Sequence, residues 1–288
     1  MPLASTADLV TSAARDRHGV GAFNVVQLEH ADAIVSGAAQ ADAPVILQVS
    51  QNTARYHGGL EPLALATLSI ARRTAVPVAV HLDHAETPEL VGEAVRLGFG
   101  SVMFDASRLP YEANLAATAE VAARCHAAGV WVEAELGEVG GKHGAHAPGA
   151  RTDPAEAAGF VAATKVDALA VAVGSSHAML TRDARLDFDL IGRLAARVPV
   201  PLVLHGSSGV PDADLKRAVA AGITKVNIAT RLNHAFTVAV RASLAEDPSL
   251  VDPRRYLGTA REAVAAEVSR LLQVLGSGRE RSAVVDSE

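Results

Sequence analysis

Val76-Pro77-Val78-Ala79-Val80-His81-Leu82-Asp83-His84 is the stretch on which the reading of this chain turns. It is apolar and β-branched until its end, where two imidazoles and a carboxylate appear together. Two other apolar runs close the same way: Ala168-Leu169-Ala170-Val171-Ala172-Val173-Gly174-Ser175-Ser176-His177 and Pro201-Leu202-Val203-Leu204-His205. Parallel barrels carry their active sites at the C-terminal ends of the strands. Three such endings would bring three imidazoles to one rim, the ligand set of a catalytic zinc that keeps a fourth position for substrate.

Outward from these runs, short β-rich segments alternate with alanine-rich helical ones. Strand ends are expected near Val26, Val49, Asp83, Asp105, Leu136, Val173, His205 and Ile228. Each interval is long enough for a loop, a helix and the next strand. Strands alternating with helices imply βαβ units and a parallel sheet. Eight units at this length give an α/β fold of the (β/α)8 TIM barrel type, with extra C-terminal helices over 231–246 and 258–275. An open doubly wound sheet would favour a glycine-rich dinucleotide turn after its first strand, and Gly21-Ala22-Phe23-Asn24 does not supply one. Pro44 and Pro77 stop helices before strands, Thr87-Pro88 and Asp153-Pro154 start them, and Gly98, Gly129 and Gly222 stand where helices end. The segment 137–151, rich in Gly, His and Ala, reads as a long mobile loop above the fifth strand. The domain organisation expected is a single domain over 1–275, followed by a frayed tail over 276–288.

Composition narrows the class. The chain has 288 residues, a net charge of -6, 49% hydrophobic residues and only 3% aromatics, so alanine and valine carry the apolar mass. Mild acidity speaks against nucleic acid as a partner. A single cysteine, Cys125, excludes an intrachain disulfide and any multi-cysteine zinc site, and reads as a packed thiol. The N-terminal residues lack a signal-peptide pattern, and no apolar run reaches the ~18 residues of a membrane span. A cytoplasmic globular protein is expected.

On a strand His81 and His84 point to opposite faces, so one of them is structural; His84, at the strand's end, is the better ligand. Asp83 beside it stands at the mouth as a carboxylate for proton transfer. His205-Gly206-Ser207-Ser208-Gly209 lets backbone N–H groups approach an anion, and loops after the last two barrel strands often bind phosphate. Asn227 and Thr230 would complete such a site, unless the segment only makes ordinary turns. Asp105, Glu133 and Glu135 are acids at strand ends, the last two on one face. Buried carboxylates are costly unless paired or near a cation, so they indicate either a dication or a buried hydrogen-bond network.

Together these motifs resemble the class II, metal-dependent ketose-bisphosphate aldolases, the fructose- and tagatose-bisphosphate aldolase family. The match runs from about residue 3 to about residue 275, on Gly21-Ala22-Phe23-Asn24, His81-Leu82-Asp83-His84, Ser101-Val102-Met103-Phe104-Asp105-Ala106-Ser107, Glu133-Ala134-Glu135-Leu136-Gly137, His205-Gly206-Ser207-Ser208-Gly209 and Lys225-Val226-Asn227-Ile228. The resemblance implies that His84, His177 and His205 bind a catalytic zinc ion, with Asp105 and Glu135 near an alternative metal position. It implies Asp83 as the general acid/base. Ser208, Asn227, Thr230 and the Gly206 backbone would hold the C1 phosphate; Asn24, Gln48 and Ser50 would line the pocket. Arg254 would grip the other phosphate, in some members from a neighbouring subunit, and a sodium or potassium ion often accompanies the phosphate. The reaction implied is reversible cleavage of a ketose 1,6-bisphosphate to dihydroxyacetone phosphate and glyceraldehyde 3-phosphate. Zinc polarises the C2 carbonyl while Asp83 takes the C4 hydroxyl proton. A homodimer or homotetramer is implied.

Three departures from the family pattern stand out. His143 occupies the place of a loop carboxylate that exchanges the proton of the second half-reaction, Ala178 follows His177 where glycine is usual, and Ala229 leans the substrate slightly towards tagatose bisphosphate or a broader ketose bisphosphate. Histidine can do acid/base work near neutral pH. Two alternatives accompany this reading: an aldolase for a related sugar-acid phosphate, and a sugar-phosphate-binding homologue without turnover.

Overall fold

The computed structural model describes residues 3–136, 151–177 and 179–278. Eight parallel strands close into a barrel in sequence order: β1 (Val20–Asn24), β2 (Val45–Ser50), β3 (Val78–Ala85), β4 (Ser101–Phe104), β5 (Trp131–Leu136), β6 (Ala168–Val171), β7 (Leu202–Leu204) and β8 (Ile223–Ile228). Every strand end falls within two residues of its expected place. α1 (Thr6–Asp16) precedes the barrel. The helices that follow the strands are α2 (Leu28–Gln40), α3 (Gln51–Tyr56), α4 (Glu61–Ala71), α5 (Pro88–Leu97), α6 (Tyr111–Ala127), α7 (Pro154–Thr164), α8 (Phe188–Arg197) and α9 (Asp212–Ala221). The extra C-terminal helices are α10 (Thr230–Glu246) and α11 (Pro253–Val274).

Local chemistry sets these boundaries. Thr87 Oγ1 accepts from the Leu90 amide, and Asp153 Oδ1 accepts from those of Ala155 and Glu156 at 2.8 and 2.9 Å, each cap preceding a proline at the first helical turn. α11 starts five residues earlier than expected, because Asp252 caps it and Pro253 opens it. At its end Gly276 turns left-handed at φ 75°, and the Ser277 amide bonds back to the Leu272 carbonyl at 3.1 Å. The chain is therefore hydrogen-bonded through residue 277; residues 279–288 lie outside the described part. Cys125 is buried, as its helical setting implies.

The core lies between barrel and helices and is built of Val, Leu, Ile and Ala, with Phe23, Phe99 and Phe160 its largest fully buried side chains. Inside the barrel the lower end is closed by Val20, Ala22, Ile46 and Ala79, packed on Val10 and Ala13 of α1. Small apolar residues there leave the chemistry to the other end. Among the described residues no helix is long and apolar enough to cross a membrane.

Candidate active site

The C-terminal rim gathers nearly every polar side chain that the sequence marked. Asp83 and His84 end β3, Gln48 and Ser50 end β2, Asn24 ends β1, and Asn227 faces inward from β8. Strict alternation would send Asp83 inward and His84 out towards the helices. The backbone prevents this: His84 has φ 51°, and the β3–β4 register shifts between Leu82 and Ala85. This irregularity turns both Asp83 and His84 to the mouth, while His81 stays in the barrel interior.

His177 reaches the same place by another route. β6 ends at Val171, six residues before it, so the apolar run is longer than the strand. The loop then folds back across the end of β7. A side chain at Gly206 (φ 64°) would meet the Ser176 backbone at 2.5–2.8 Å, so glycine there lets the His177 loop lie against His205. The ring centroids of His84, His177 and His205 are then 4.8–5.7 Å apart.

Glu135 completes this cluster. Ligating atoms of His84, Glu135, His177 and His205 all lie within 4.8 Å of one another. Carboxylates behind the rings fix their orientation. His84 Nδ1 donates to Asp105 Oδ2 at 2.7 Å, which leaves Nε2 for the cluster. His205 Nε2 donates to Glu133 Oε1 at 2.9 Å, and its Nδ1 lies 3.3 Å from Glu135. A carboxylate on the far nitrogen is how a ligating imidazole is normally held. Asp105 thus stands behind His84 rather than among the four clustered groups.

The charge balance indicates what the cluster is built to take. Asp83, Asp105, Glu133 and Glu135 are all buried, and Lys225 is the only buried lysine or arginine among the described residues. Lys225 Nζ sits 2.8 Å from Glu133 and donates to Asn227 Oδ1 at 2.7 Å. Burial opposes ionisation of Glu133, but Lys225 and His205 hold its carboxyl well below the usual range. His81 is pushed down to about 3 by burial and by Lys225, so it is a neutral ring, hydrogen-bonded to Ser101 Oγ at 2.9 Å. Burial would lower His205, yet Glu133 and Glu135 raise it to about 9. Four carboxylates against one lysine and a protonated His205 still leave the site rich in negative charge. Three imidazoles and a carboxylate are donors suited to zinc and similar divalent ions. The residues present therefore fit a metal ion.

Asp83 is held as a carboxylate. Burial acts to raise its carboxyl, but His84, His205, Lys225 and the Asn24 amide together hold it below the ordinary range. Asn24 Nδ2 donates to it at 2.8 Å, and Gln48 Nε2 fixes Asn24 Oδ1 at 2.7 Å. The cavity above is about 160 Å3 and includes Asn24, Gln48, Ser50, Asp83, His84 and His177. Gly206, Ser208, Asn227 and Thr230 form its other side. Arg254 does not line this cavity: its side chain is 89% exposed and its guanidinium is forked onto Asp252. His143 and Ala178 lie outside the described residues. The sequence patterns assign no role to Lys225 or to Asn52, which also lines the cavity. Lys225 had a legible signal, since a lysine two residues before Asn227 on a strand shares its inward face.

The family model for class II fructose-bisphosphate aldolases matches residues 4–280. The chain belongs to that family. It is an aldolase, a metal-binding carbon–carbon lyase of carbohydrate metabolism. The fructose-bisphosphate aldolase of Geobacillus stearothermophilus is 39% identical over 281 residues, covering 96% of this chain and 98% of its own. That of Thermus caldophilus is 39% identical over 297 aligned residues, covering 94% and 97%. Among solved structures, the YdjI aldolase of Escherichia coli K12 superposes with a TM-score of 0.84 at 34% identity, covering 96% of this chain and 98% of the other. The Campylobacter jejuni fructose-bisphosphate aldolase, 22% identical over 96% of each chain with a TM-score of 0.83, shares the fold.

Proposed function

We propose that this aldolase cleaves a ketose 1,6-bisphosphate, fructose or tagatose, reversibly to dihydroxyacetone phosphate and glyceraldehyde 3-phosphate. The observation that carries the reading is the convergence of His84, His177, His205 and Glu135 beside Asp83, at the edge of a rim cavity that Asp83, His84 and His177 line. The first three would hold a catalytic zinc ion, with Glu135 as a further ligand. Zinc bound there would act as a Lewis acid on the substrate's C2 carbonyl.

The chain's own groups supply the rest. Asp83, ionised and held by Asn24, accepts the C4 hydroxyl proton as the C3–C4 bond breaks. Asn227 and Gln48 keep that carboxylate and its neighbour Asn24 in place. The Gly206 backbone, Ser208 and Thr230 receive the C1 phosphate, a sodium or potassium ion belonging to the same reading. His143 would exchange the proton at C3. Arg254, remote from the cavity of its own chain, would reach the second phosphate in a neighbouring copy, which makes the working form a homodimer or homotetramer. A cytoplasmic enzyme is consistent with a phosphorylated substrate.

The test is release of triose phosphate from fructose and tagatose 1,6-bisphosphate with and without EDTA and added zinc. Cleavage is expected to vanish with EDTA, return with zinc and fail in Asp83→Ala; the ratio of the two rates names the sugar. No cleavage of either sugar by zinc-loaded protein would overturn the reading.

A further inference from the structure

A second cavity of about 240 Å3 adjoins the catalytic one across Ser208 and Thr230, which line both. The two differ in charge. The described lining of the catalytic cavity contains no lysine or arginine, although a phosphate seated on Ser208 and Thr230 carries more negative charge than one sodium or potassium ion balances. The adjoining cavity has two guanidiniums, those of Arg182 and Arg231, with His234 beside them.

These arginines are the ends of one ionic chain. Arg182 pairs with Asp212 and also donates to the Val210 carbonyl at 3.1 Å; Arg231 pairs with Glu267. Between the two acids lies Arg270, 2.6 Å from Asp212 and 2.9 Å from Glu267. Three arginines and two carboxylates leave one positive charge in excess. Arg270 also keeps a partner on each acid if either end arginine turns away. Arg231 is tied to the shared wall as well, since its backbone N–H donates to Ser208 Oγ at 3.2 Å.

We propose that Arg231 and Arg182 form a phosphate clamp, exchanging Glu267 and Asp212 for the phosphate that sits on Ser208 and Thr230. This rests on the substrate reading above. A phosphate monoester is the ligand class, because a guanidinium fork matches its oxygens and the excess positive charge complements its negative one.

The experiment uses full-length, zinc-loaded protein, with inorganic phosphate as probe. Phosphate affinity is read from protection against thermal unfolding, and KM and kcat from bisphosphate cleavage. Arg231→Met and Arg182→Met are each expected to weaken phosphate binding and raise KM by about tenfold or more, the loss of a charge-assisted contact. Their kcat is expected to stay within about threefold, the signature of lost ground-state binding. Arg231→Lys should fall between. Arg241→Met removes an exposed charge from the same helix and should change nothing. Unchanged phosphate affinity in both clamp variants, or an equal loss in Arg241→Met, would overturn the clamp. If Arg231→Met does not fold, Arg182→Met and Arg231→Lys decide. Absence of cleavage by the wild type would sink the substrate reading, while the phosphate arm would still judge the clamp.

Discussion

Glu133 and Glu135 stand two residues apart on β5, face the same way and are both fully buried, yet they belong to different regions. Glu133 lies in the floor of the site, where Lys225, His81 and His205 surround it and the lysine neutralises it. Glu135 lies in the mouth, within reach of three imidazoles. The floor balances its charge with protein groups and is a structural device. The mouth has donors and negative charge in excess, and is a device for a ligand. Burial alone does not distinguish them; the partner does.

The largest effect that separates the two regions should be on turnover. Asp83→Asn removes the carboxylate proposed as the base, and kcat is expected to fall by about 10²–10⁴-fold in a coupled triose phosphate assay, with the unfolding midpoint little changed. The mirror image is a floor substitution. Lys225→Met strands the Glu133 carboxylate and should cost about 3–5 kcal/mol in denaturant-unfolding stability, much of which Glu133→Gln in the same chain should restore. A Lys225→Met protein of wild-type stability would erase the distinction between floor and mouth.

Asp105→Asn tests the border between them, because that carboxylate touches His84 without joining the cluster. Metal affinity, measured by competition with a chelating dye, should weaken by about 10–100-fold. A smaller effect belongs to the outer ionic chain. Burial opposes ionisation of Asp212 and Glu267, but their arginines hold both carboxyls below the ordinary range. Their folded values lie below their unfolded ones. The stability they contribute is therefore complete above about pH 4 and is lost as pH falls through the folded values. Both are partly exposed, so the contribution is expected to be under about 1 kcal/mol, seen as a shallower acid limb in Glu267→Gln. Equal acid limbs in wild type and variant would remove this chain from the stability account.

Much of this molecule was fixed by local sequence. Alternating β-rich and alanine-rich runs determined eight strands, with ends legible to two residues, because side-chain alternation and helix caps act over a few positions. Three apolar runs closing on His84, His177 and His205 determined the metal-site candidates. Tertiary structure decided what local rules do not reach. The left-handed backbone at His84 reverses the face that alternation assigns it. Closure of the barrel brings Lys225 of β8 to Glu133 of β5, and the Gly206 contact brings the Ser176 backbone to the end of β7. It also left Arg254 away from the cavity of its own chain and put Arg231 on the cavity's shared wall. A carboxylate is structural or chemical according to the charges around it. Those charges come from strands far apart in sequence, so their assignment waits on the closed barrel.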